Sequence, residues 1–214
     1  ESANILKGDY EKPGFVSIGL SATASEDKNV LGVQPIDEIV GSGGMATELR
    51  VGMSLIDKAD RSEDGRIFIF LWGDPDKNAE IGFGLGGEII GHFVESMPKL
   101  GFILGGQVGY GWQSVKGSSA TISTSANKLS FVTGSVVMTP TTINYTADTA
   151  ILNIGLNLGL TYSVLDHTSF DLVYSYNRSE YQAEYRTAQR SDILNNLTFN
   201  QDNHNLKFAI NYRF

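Results

Sequence analysis

The 214-residue sequence has no cysteine, three histidines and five prolines. The lack of cysteine excludes a disulfide framework and a thiolate metal centre, and three histidines leave little material for another metal site. No basic run occurs, and the net charge of -8 opposes binding to nucleic acid, which needs a concentrated basic surface. We therefore expect no cofactor, no metal and no nucleic-acid partner.

A long hydrophobic run is also missing. The chain has no stretch of about 18 apolar residues, the length that a helix needs to cross the hydrocarbon layer, so a membrane-spanning helix is excluded. A membrane-spanning β-strand needs only about 10 residues and exposes every second one to lipid. The mean hydropathy of -0.10 is therefore compatible with a β-barrel in a membrane.

The dominant pattern is an alternation of apolar and polar residues with a period of two, as in a strand with two different faces. The apolar face of the last segment consists of Leu206, Phe208, Ile210, Tyr212 and Phe214. Residues 66–72 are apolar on both faces. The pattern predicts eight strands, at residues 14–22, 45–56, 66–72, 80–93, 100–115, 149–164, 169–179 and 203–214.

These strands predict an all-β fold, a transmembrane antiparallel up-and-down β-barrel that spans residues 14–214. Residues 1–13 would form a periplasmic tail, and an even number of strands would leave both termini in the periplasm. The chain begins at Glu1 rather than Met, which is typical of a mature secreted form or of a trimmed sequence. Short periplasmic turns would alternate with surface loops near residues 23–44, 73–79, 116–148 and 180–202.

The third loop leaves two alternatives open. Its segments 129–137 and 141–147 could form a hairpin that projects above the membrane, or two further spanning strands of a ten-stranded barrel. The hairpin is favoured because neither segment shows a continuous lipid-facing stripe.

Aromatic residues provide a separate test of the strand directions, because their rings collect at the two membrane surfaces. The expected periplasmic girdle contains Phe102, Tyr162, Phe170, Tyr212 and Phe214. The expected outer girdle contains Trp72, Tyr110, Trp112 and Tyr176. The sequence thus predicts two interfacial belts.

This architecture, with an alternating final strand that ends in Tyr212 and Phe214, resembles the small outer-membrane barrels of the OmpA, OmpX and NspA type. The resemblance implies a location in the outer membrane of a Gram-negative-type bacterium, among lipid and lipopolysaccharide. It also implies that Phe208, Ile210, Tyr212 and Phe214 form the signal for the barrel-assembly machinery. It does not imply one function, because members serve as anchors, adhesins, resistance factors, narrow pores or enzymes.

Charged and amide side chains fall on the inward faces of the predicted strands. The set comprises Glu48, Arg50, Glu88, His92, Asp171, Lys207, Arg213, Gln107 and Asn157. In one interpretation, ion pairs among them close a lumen too narrow for bulk water. In the other, they line a narrow channel for small polar or amphiphilic solutes. The many inward glycines keep the second interpretation open, because either large groups fill the space opposite them or a cavity remains.

The surface loops are the expected contact region, since loops on a rigid scaffold often carry binding sites. Tyr181, Tyr185, Arg186 and Arg190 in the last loop are the preferred contacts for an external protein or cell-surface partner, because Tyr and Arg supply much binding energy. His204 is expected to be a solvated loop residue. Acidic clusters in the loops are expected to increase solubility, or to bind divalent cations that bridge them to lipopolysaccharide. These clusters contain Glu26, Asp27, Asp37, Glu38, Asp74 and Asp76.

An enzymatic alternative rests on His167, Ser169 and Glu180, whose spacing loosely resembles the His-x-Ser arrangement of lipid A deacylases. Two departures weaken it: His167 lies in a short predicted turn, and Phe170 stands where that family has Asn. We therefore predict no enzymatic activity. The leading hypothesis is a surface-exposed structural or interaction protein, with a lumen closed by ion pairs.

Overall fold

The computed structural model describes residues 10–28, 43–58, 62–75, 80–94, 96–123, 139–187 and 190–214. Nine strands lie in these ranges, and no helix among the described residues is long and apolar enough to cross a membrane. The strands are β1 Tyr10–Glu11, β2 Gly14–Lys28, β3 Gly43–Asp57, β4 Glu63–Asp74, β5 Glu80–Gly91, β6 Leu100–Ser123, β7 Thr139–Leu165, β8 Thr168–Thr187 and β9 Arg190–Arg213.

The sheet closes on itself. From β2 to β9 each strand pairs antiparallel with the next, and β2 also pairs with β9, where Phe15 lies opposite Arg213. The two-residue β1 extends the sheet along β3, with Tyr10 opposite Asp57, in a region predicted to be tail. The predicted eight-stranded up-and-down barrel is confirmed, and the described residues contain no further pair of spanning strands. Closure matters because an open sheet edge cannot be tolerated in hydrocarbon.

The two faces of the wall differ in chemistry along most of the spanning strands. On β7, Leu156 is 65% exposed on the outside, whereas the next residue, Asn157, is 1% exposed inside the lumen. On β9, Phe208 is half exposed beside the buried Lys207. An apolar band of this extent would be unstable in water, so the barrel is a transmembrane one.

Large rings fill the space that inward glycines leave. Gly82 and Gly84 on β5 have no side chain toward the lumen, and the rings of Trp72 and Phe70 on β4 occupy that space. A Cβ added at Gly82 would lie 2.2 Å from Trp72 Cζ2, and one at Gly84 would lie 2.5 Å from Phe70 Cζ. Trp72 therefore points into the lumen, which corrects its predicted place in the outer girdle.

Most strands, though not β5, are longer than the sequence pattern predicts. Strand residues occupy parts of all four predicted surface loops, because β2, β4, β6 and β8 run on to Lys28, Asp74, Ser123 and Thr187. β6 and β7 remain paired from Leu100 opposite Tyr162 to Ser123 opposite Thr139, so the described residues of the predicted third loop continue the β6–β7 pairing. Segment 129–137 lies outside the described residues. The polar ends of these strands lack the apolar stripe by which the pattern recognises a strand, which explains the difference.

The two ends of the barrel are unlike. We call one end the terminal end: β2 begins and β9 ends there, and β7 is connected to β8 by only two residues, Asp166 and His167. We call the opposite end the extended end, because β6–β9 run well beyond the apolar band there. One side of the barrel wall thus projects from the membrane as a four-stranded sheet.

The substitution Gly84→Ala should destabilise the barrel. The new Cβ would lie 2.3 Å from the carbonyl oxygen of Val108, which cannot move without disturbing the sheet. We expect a loss of about 1–3 kcal/mol in the free energy of unfolding, as for other overpacked interiors. Gly106→Ala is the matched control, because its Cβ would meet nothing closer than 3.6 Å. Equal denaturation midpoints in detergent, followed by circular dichroism, would contradict the packing described above.

Candidate functional site

Eight charged side chains meet inside the barrel and are called here the ion-pair layer. Its four cations are Arg50 on β3, Arg66 on β4, and Lys207 and Arg213 on β9. Its four acids are Glu48, Glu63, Glu88 and Asp171, from β3, β4, β5 and β8. All eight are buried or nearly so, because alternate residues of each strand point inward. The formal charges of the layer cancel.

The part of the layer toward the extended end joins three strands. Lys207 Nζ lies 2.8 Å from Glu48 Oε1, and Arg50 donates to the same oxygen through its Nε. The Nη1 of Arg50 also lies 2.7 Å from Glu88 Oε1. The guanidinium of Arg50 stacks over the ring of Phe68, at 4.1 Å from its centroid. Each charge in this part therefore has an opposite charge and an ordered environment.

The part toward the terminal end is organised around Arg66. Its Nε donates to Glu63 Oε1 at 2.8 Å, and its Nη1 donates to Asp171 Oδ2 at 2.5 Å. Arg213 Nη1 lies 3.3 Å from Glu63 Oε2. A distance of 3.8 Å between Arg66 Nη1 and Glu88 Oε2 links the two parts. The ion pairs thus run without a break from Lys207 to Arg213 across the lumen.

Neutral polar side chains complete the packing around the layer. Asn157 donates to Glu88 Oε1 at 3.4 Å and to Gln107 Oε1 at 3.2 Å, and it accepts a hydrogen bond from Ser175 at 2.7 Å. His92 lies apart from the ion pairs. Its ring nitrogens are 3.1 Å and 3.2 Å from the carbonyl oxygens of Leu100 and Glu63, so it ties the strand ends together.

The layer separates two cavities. The cavity toward the extended end has a volume of about 70 Å³, enough for a few water molecules, and reaches Glu48 and Lys207. The cavity at the terminal end has a volume of about 720 Å³ and reaches Glu63 and Arg213. Removal of one partner from such a buried network is costly, because it leaves an uncompensated charge. The ion-pair layer therefore lies between the two cavities, and each of its charges depends on its partners.

A second polar cluster lies above the layer and corrects two predictions. The indole nitrogen of Trp72 donates to Glu80 Oε1 at 3.0 Å, and the Tyr181 hydroxyl contacts Glu80 Oε2 at 3.4 Å and Gln201 Oε1 at 3.1 Å. Tyr181 is 1% exposed on an inward position of β8, so its predicted role as an external contact is wrong. Asp74 ends β4 as a buried residue rather than lying in a solvated loop.

The other predicted surface residues fall largely outside the described side chains. The backbones of Tyr185 and Arg186 lie in β8 and that of Arg190 begins β9, but their side chains are not described. Glu26 and Asp27 are strand residues of β2, likewise without described side chains. The remaining acidic loop residues, Asp37, Glu38 and Asp76, lie outside the described residues.

Two members of the ion-pair layer were missed by the sequence pattern. Glu63 was assigned to a turn, and Arg66 began a segment that is apolar on both faces, so neither was recognised as inward. The pairing of β3 with β4 shifts in register next to Ile56, which lies opposite Glu63. In the segment 66–72, the charge of Arg66, two residues before Phe68, is the feature of the sequence that indicates which face points into the lumen.

The residues of the enzymatic alternative are not brought together. Ser169 faces the lumen, where Asn211 Nδ2 donates to its hydroxyl at 3.2 Å and Arg66 Nη2 lies 3.4 Å away. The ring of His167 contacts the ring of Tyr212, and none of the hydrogen bonds in the described part joins it to Ser169. Glu180 accepts a hydrogen bond from Gln182. The described contacts of Ser169 hold its side chain in the lumen, and none of them supplies a general base for catalysis.

The last histidine has a defined place in the wall. His204 lies in β9 rather than in a loop, and its Nδ1 is 2.6 Å from the hydroxyl of Tyr174. Among the described residues, no group of three or more His, Cys, Asp or Glu side chains could hold a metal ion.

No family model and no curated protein matches this sequence. Three solved outer-membrane proteins are similar to it in structure. Neisserial surface protein A has 11% identity and a TM-score of 0.49, with 95% of this chain and 99% of that chain covered. The attachment invasion locus protein Ail of Yersinia pestis has 10% identity and a TM-score of 0.43, with 95% of this chain and 99% of that chain covered. A major outer membrane protein of Thermus thermophilus has 11% identity and a TM-score of 0.45, with 94% of this chain and 99% of that chain covered.

By its own strand pairing, the chain has the architecture of the small outer-membrane β-barrels that its sequence predicts. At TM-scores below 0.5 the similarities themselves carry no argument about what it does. Its function has to be argued from the lumen and from the projecting sheet.

The substitution Arg66→Met should destabilise the barrel strongly. It keeps much of the volume but leaves Glu63 and Asp171 without their principal cation. We expect a loss of about 3–5 kcal/mol in the free energy of unfolding in detergent, the usual effect of breaking a buried ion pair. Arg178→Met, which alters an exposed arginine on the outer face of β8, is the control and should change it by less than about 1 kcal/mol. Similar losses in the two variants would show that the layer contributes little.

Proposed function

We propose that this chain is a surface protein of the outer membrane of a Gram-negative-type bacterium, with a closed lumen and external contacts made by its projecting sheet. The observation that carries the proposal is the unbroken ion-pair layer. A permanently open channel needs a continuous water-filled path, whereas here Arg50, Arg66, Glu88 and Asp171 are almost fully buried between the two cavities. The barrel then serves as an anchor, and its function lies outside the membrane.

The proposed orientation is supported by the unlike ends of the barrel. Outer-membrane barrels have short turns on the periplasmic side and longer segments outside. The terminal end, with its two-residue connection between β7 and β8, would face the periplasm together with both chain termini. The outward residues of β9 near that end, Phe208, Ile210, Tyr212 and Phe214, would then be placed for recognition by the barrel-assembly machinery.

The projecting sheet is the proposed contact surface for an external protein or cell-surface partner. β6–β9 contain 24, 27, 20 and 24 residues, whereas β2–β5 contain 15, 15, 12 and 12. β6 continues past the lipid-facing Trp112 as far as Ser123, which is roughly 35 Å of strand. Tyr185, Arg186 and Arg190 lie near the ends of β8 and β9, below the end of the longer β6–β7 hairpin, and remain candidate contacts. Lipopolysaccharide would surround its base.

Planar-bilayer recording tests the closed lumen. The wild-type barrel should give no steady single-channel steps, because the layer blocks the path of hydrated ions. The double substitution Arg66→Ser and Glu63→Ser removes one cation and one acid together, and it should produce steps or brief openings. Arg178→Ser on the outer face serves as the control and should leave the bilayer silent.

A narrow channel for small polar or amphiphilic solutes is the second candidate. The observation in its favour is that the two cavities approach the layer from both sides, as far as Glu48 and Glu63. Regular ion-selective steps from the wild-type barrel, altered by Glu88→Gln, would establish the channel and overturn the closed lumen.

Shortening the projecting hairpin tests the contact surface. Gly117 and Tyr145 lie opposite each other on β6 and β7, so residues 118–144 can be replaced by an Asn-Gly turn that preserves the pairing below. The shortened barrel should keep its heat-dependent shift in SDS gels and its silence in bilayers. It should lose adhesion to the cells or surfaces that wild-type-coated beads bind. Unchanged adhesion would contradict a contact surface on the β6–β7 hairpin and would leave Tyr185, Arg186 and Arg190 on β8 and β9 as the candidate contacts.

A further inference from the structure

The projecting sheet has two lateral edges above the membrane. β6 pairs with β5 only as far as Trp112, so its residues 114–123 have β7 as their only described neighbour; we call them the β6 edge. β9 pairs with β2 only as far as Asn200, so its residues 190–199, the β9 edge, have β8 as their only described neighbour. Each edge presents roughly 33 Å of strand whose backbone N–H and C=O groups alternate toward the side.

The two edges differ in the features that prevent pairing with a further strand. Natural sheets protect an exposed edge with charged residues, proline or a β-bulge. The β9 edge contains Arg190 and Asp192, and the pairing of β8 with β9 shifts in register beside them. The β6 edge contains Lys116 as its one charge and no proline, and its pairing with β7 has no register shift. The β6 edge is therefore the one suited to accept a strand.

The composition of the β6 edge indicates what kind of strand it accepts. Seven of the ten residues from Ser114 to Ser123 are Ser, Gly, Ala or Thr. In strand addition the main-chain hydrogen bonds provide affinity, whereas pockets for alternate side chains select the sequence of the partner. Residues this small build no deep pockets, so the match has to lie in the backbone. A backbone edge of the same length and regularity is present on every other copy of this chain.

We propose that the β6 edge pairs with the β6 edge of a second copy of this chain, inserted in an apposed membrane. This inference rests on the proposed function, because it names the partner of the projecting sheet. A two-fold axis perpendicular to the sheet brings the two edges together as an antiparallel pair, in which each copy uses the same surface. The four projecting strands of each copy, β6–β9, then join into one continuous sheet with the two β6 strands at its centre.

The direction of β6 determines in which membrane the second copy lies. β6 runs from the terminal end to the extended end, so in two copies within one membrane both β6 strands run outward. Barrel strands are tilted by roughly 40°, and a two-fold axis along the membrane normal would make these strands cross at roughly 80°, which prevents pairing. An axis perpendicular to the sheet lies parallel to the membrane and reverses both the strand and the barrel. The antiparallel pair therefore connects two membranes that face each other.

Opposite charges introduced at the β6 edge test the pairing. Ser118 and Ala120 lie two residues apart, on one face of β6, and both are changed to Glu in one variant and to Lys in another. Phosphatidylcholine vesicles that carry the wild-type barrel should cluster, as measured by light scattering. Vesicles of either variant alone should cluster roughly tenfold more slowly, because like charges meet across the pair. A mixture of Glu vesicles and Lys vesicles should cluster at about the wild-type rate.

The matched control uses Thr142 and Asn144 of β7, which lie directly opposite Ala120 and Ser118 but away from the edge. Changing both to Glu should leave the clustering rate of the vesicles unchanged. The heat-dependent gel shift shows that each variant is folded. The single substitutions Ser118→Glu and Ser118→Lys replace the double ones if those do not give this shift.

Four results would overturn the inference. They are wild-type vesicles that do not cluster, equal clustering rates in the edge and control variants, a mixture that clusters as slowly as either variant alone, and dimers within one vesicle without clustering. If wild-type-coated beads still adhere to cells while vesicles do not cluster, the edge belongs to a foreign partner and the proposed function stands. Loss of both adhesion and clustering would contradict the proposed function as well.

Discussion

Charge compensation inside a closed sheet is the constraint on which this barrel depends. Because side chains alternate along each strand, four cations and four acids point into a lumen that has no lateral exit. Burying an isolated charge there would cost several kcal/mol of stability. Arg66 meets this constraint for acids from three strands, because Glu63, Glu88 and Asp171 lie around one guanidinium. The register of β4 against β5 places Glu88 opposite Arg66, and the position of β8 across the lumen places Asp171 beside the same arginine.

Different strands fill the rest of the lumen with different kinds of side chain. β5 and β6 present glycines, and β4 lays Phe68, Phe70 and Trp72 over them, whereas β3, β8 and β9 present charges, amides and hydroxyls. The rings on β4 therefore fill the space beside the glycines, while Arg66 on β4 and Glu88 on β5 join the charges of β3, β8 and β9. Neither face of the wall supplies an assembled catalytic group among the described residues.

Much of the fold could be predicted from the sequence because each membrane-crossing strand shows its period directly. The inward positions of Glu48, Arg50, Glu88, Asp171, Lys207 and Arg213 followed from that period. Arg66 and Trp72 did not, because the segment from 66 to 72 is apolar on both sides and hides which face is inside. Tyr181 was misplaced for a related reason. Above the membrane both faces of a strand meet polar surroundings, so the hydropathy pattern ends before the strand does.

A closed lumen requires that the ion-pair layer exclude water from the middle of the barrel. Hydrogen exchange of the guanidinium Nε protons of Arg50 and Arg66, followed by nuclear magnetic resonance in detergent micelles, measures this most directly. Both protons are held by carboxylates in buried positions. We expect separate resonances for Arg50 and Arg66 that exchange with water far more slowly than the resonance of the exposed Arg178. Exchange of all three at the same fast rate would show a hydrated, open lumen and would contradict its closure.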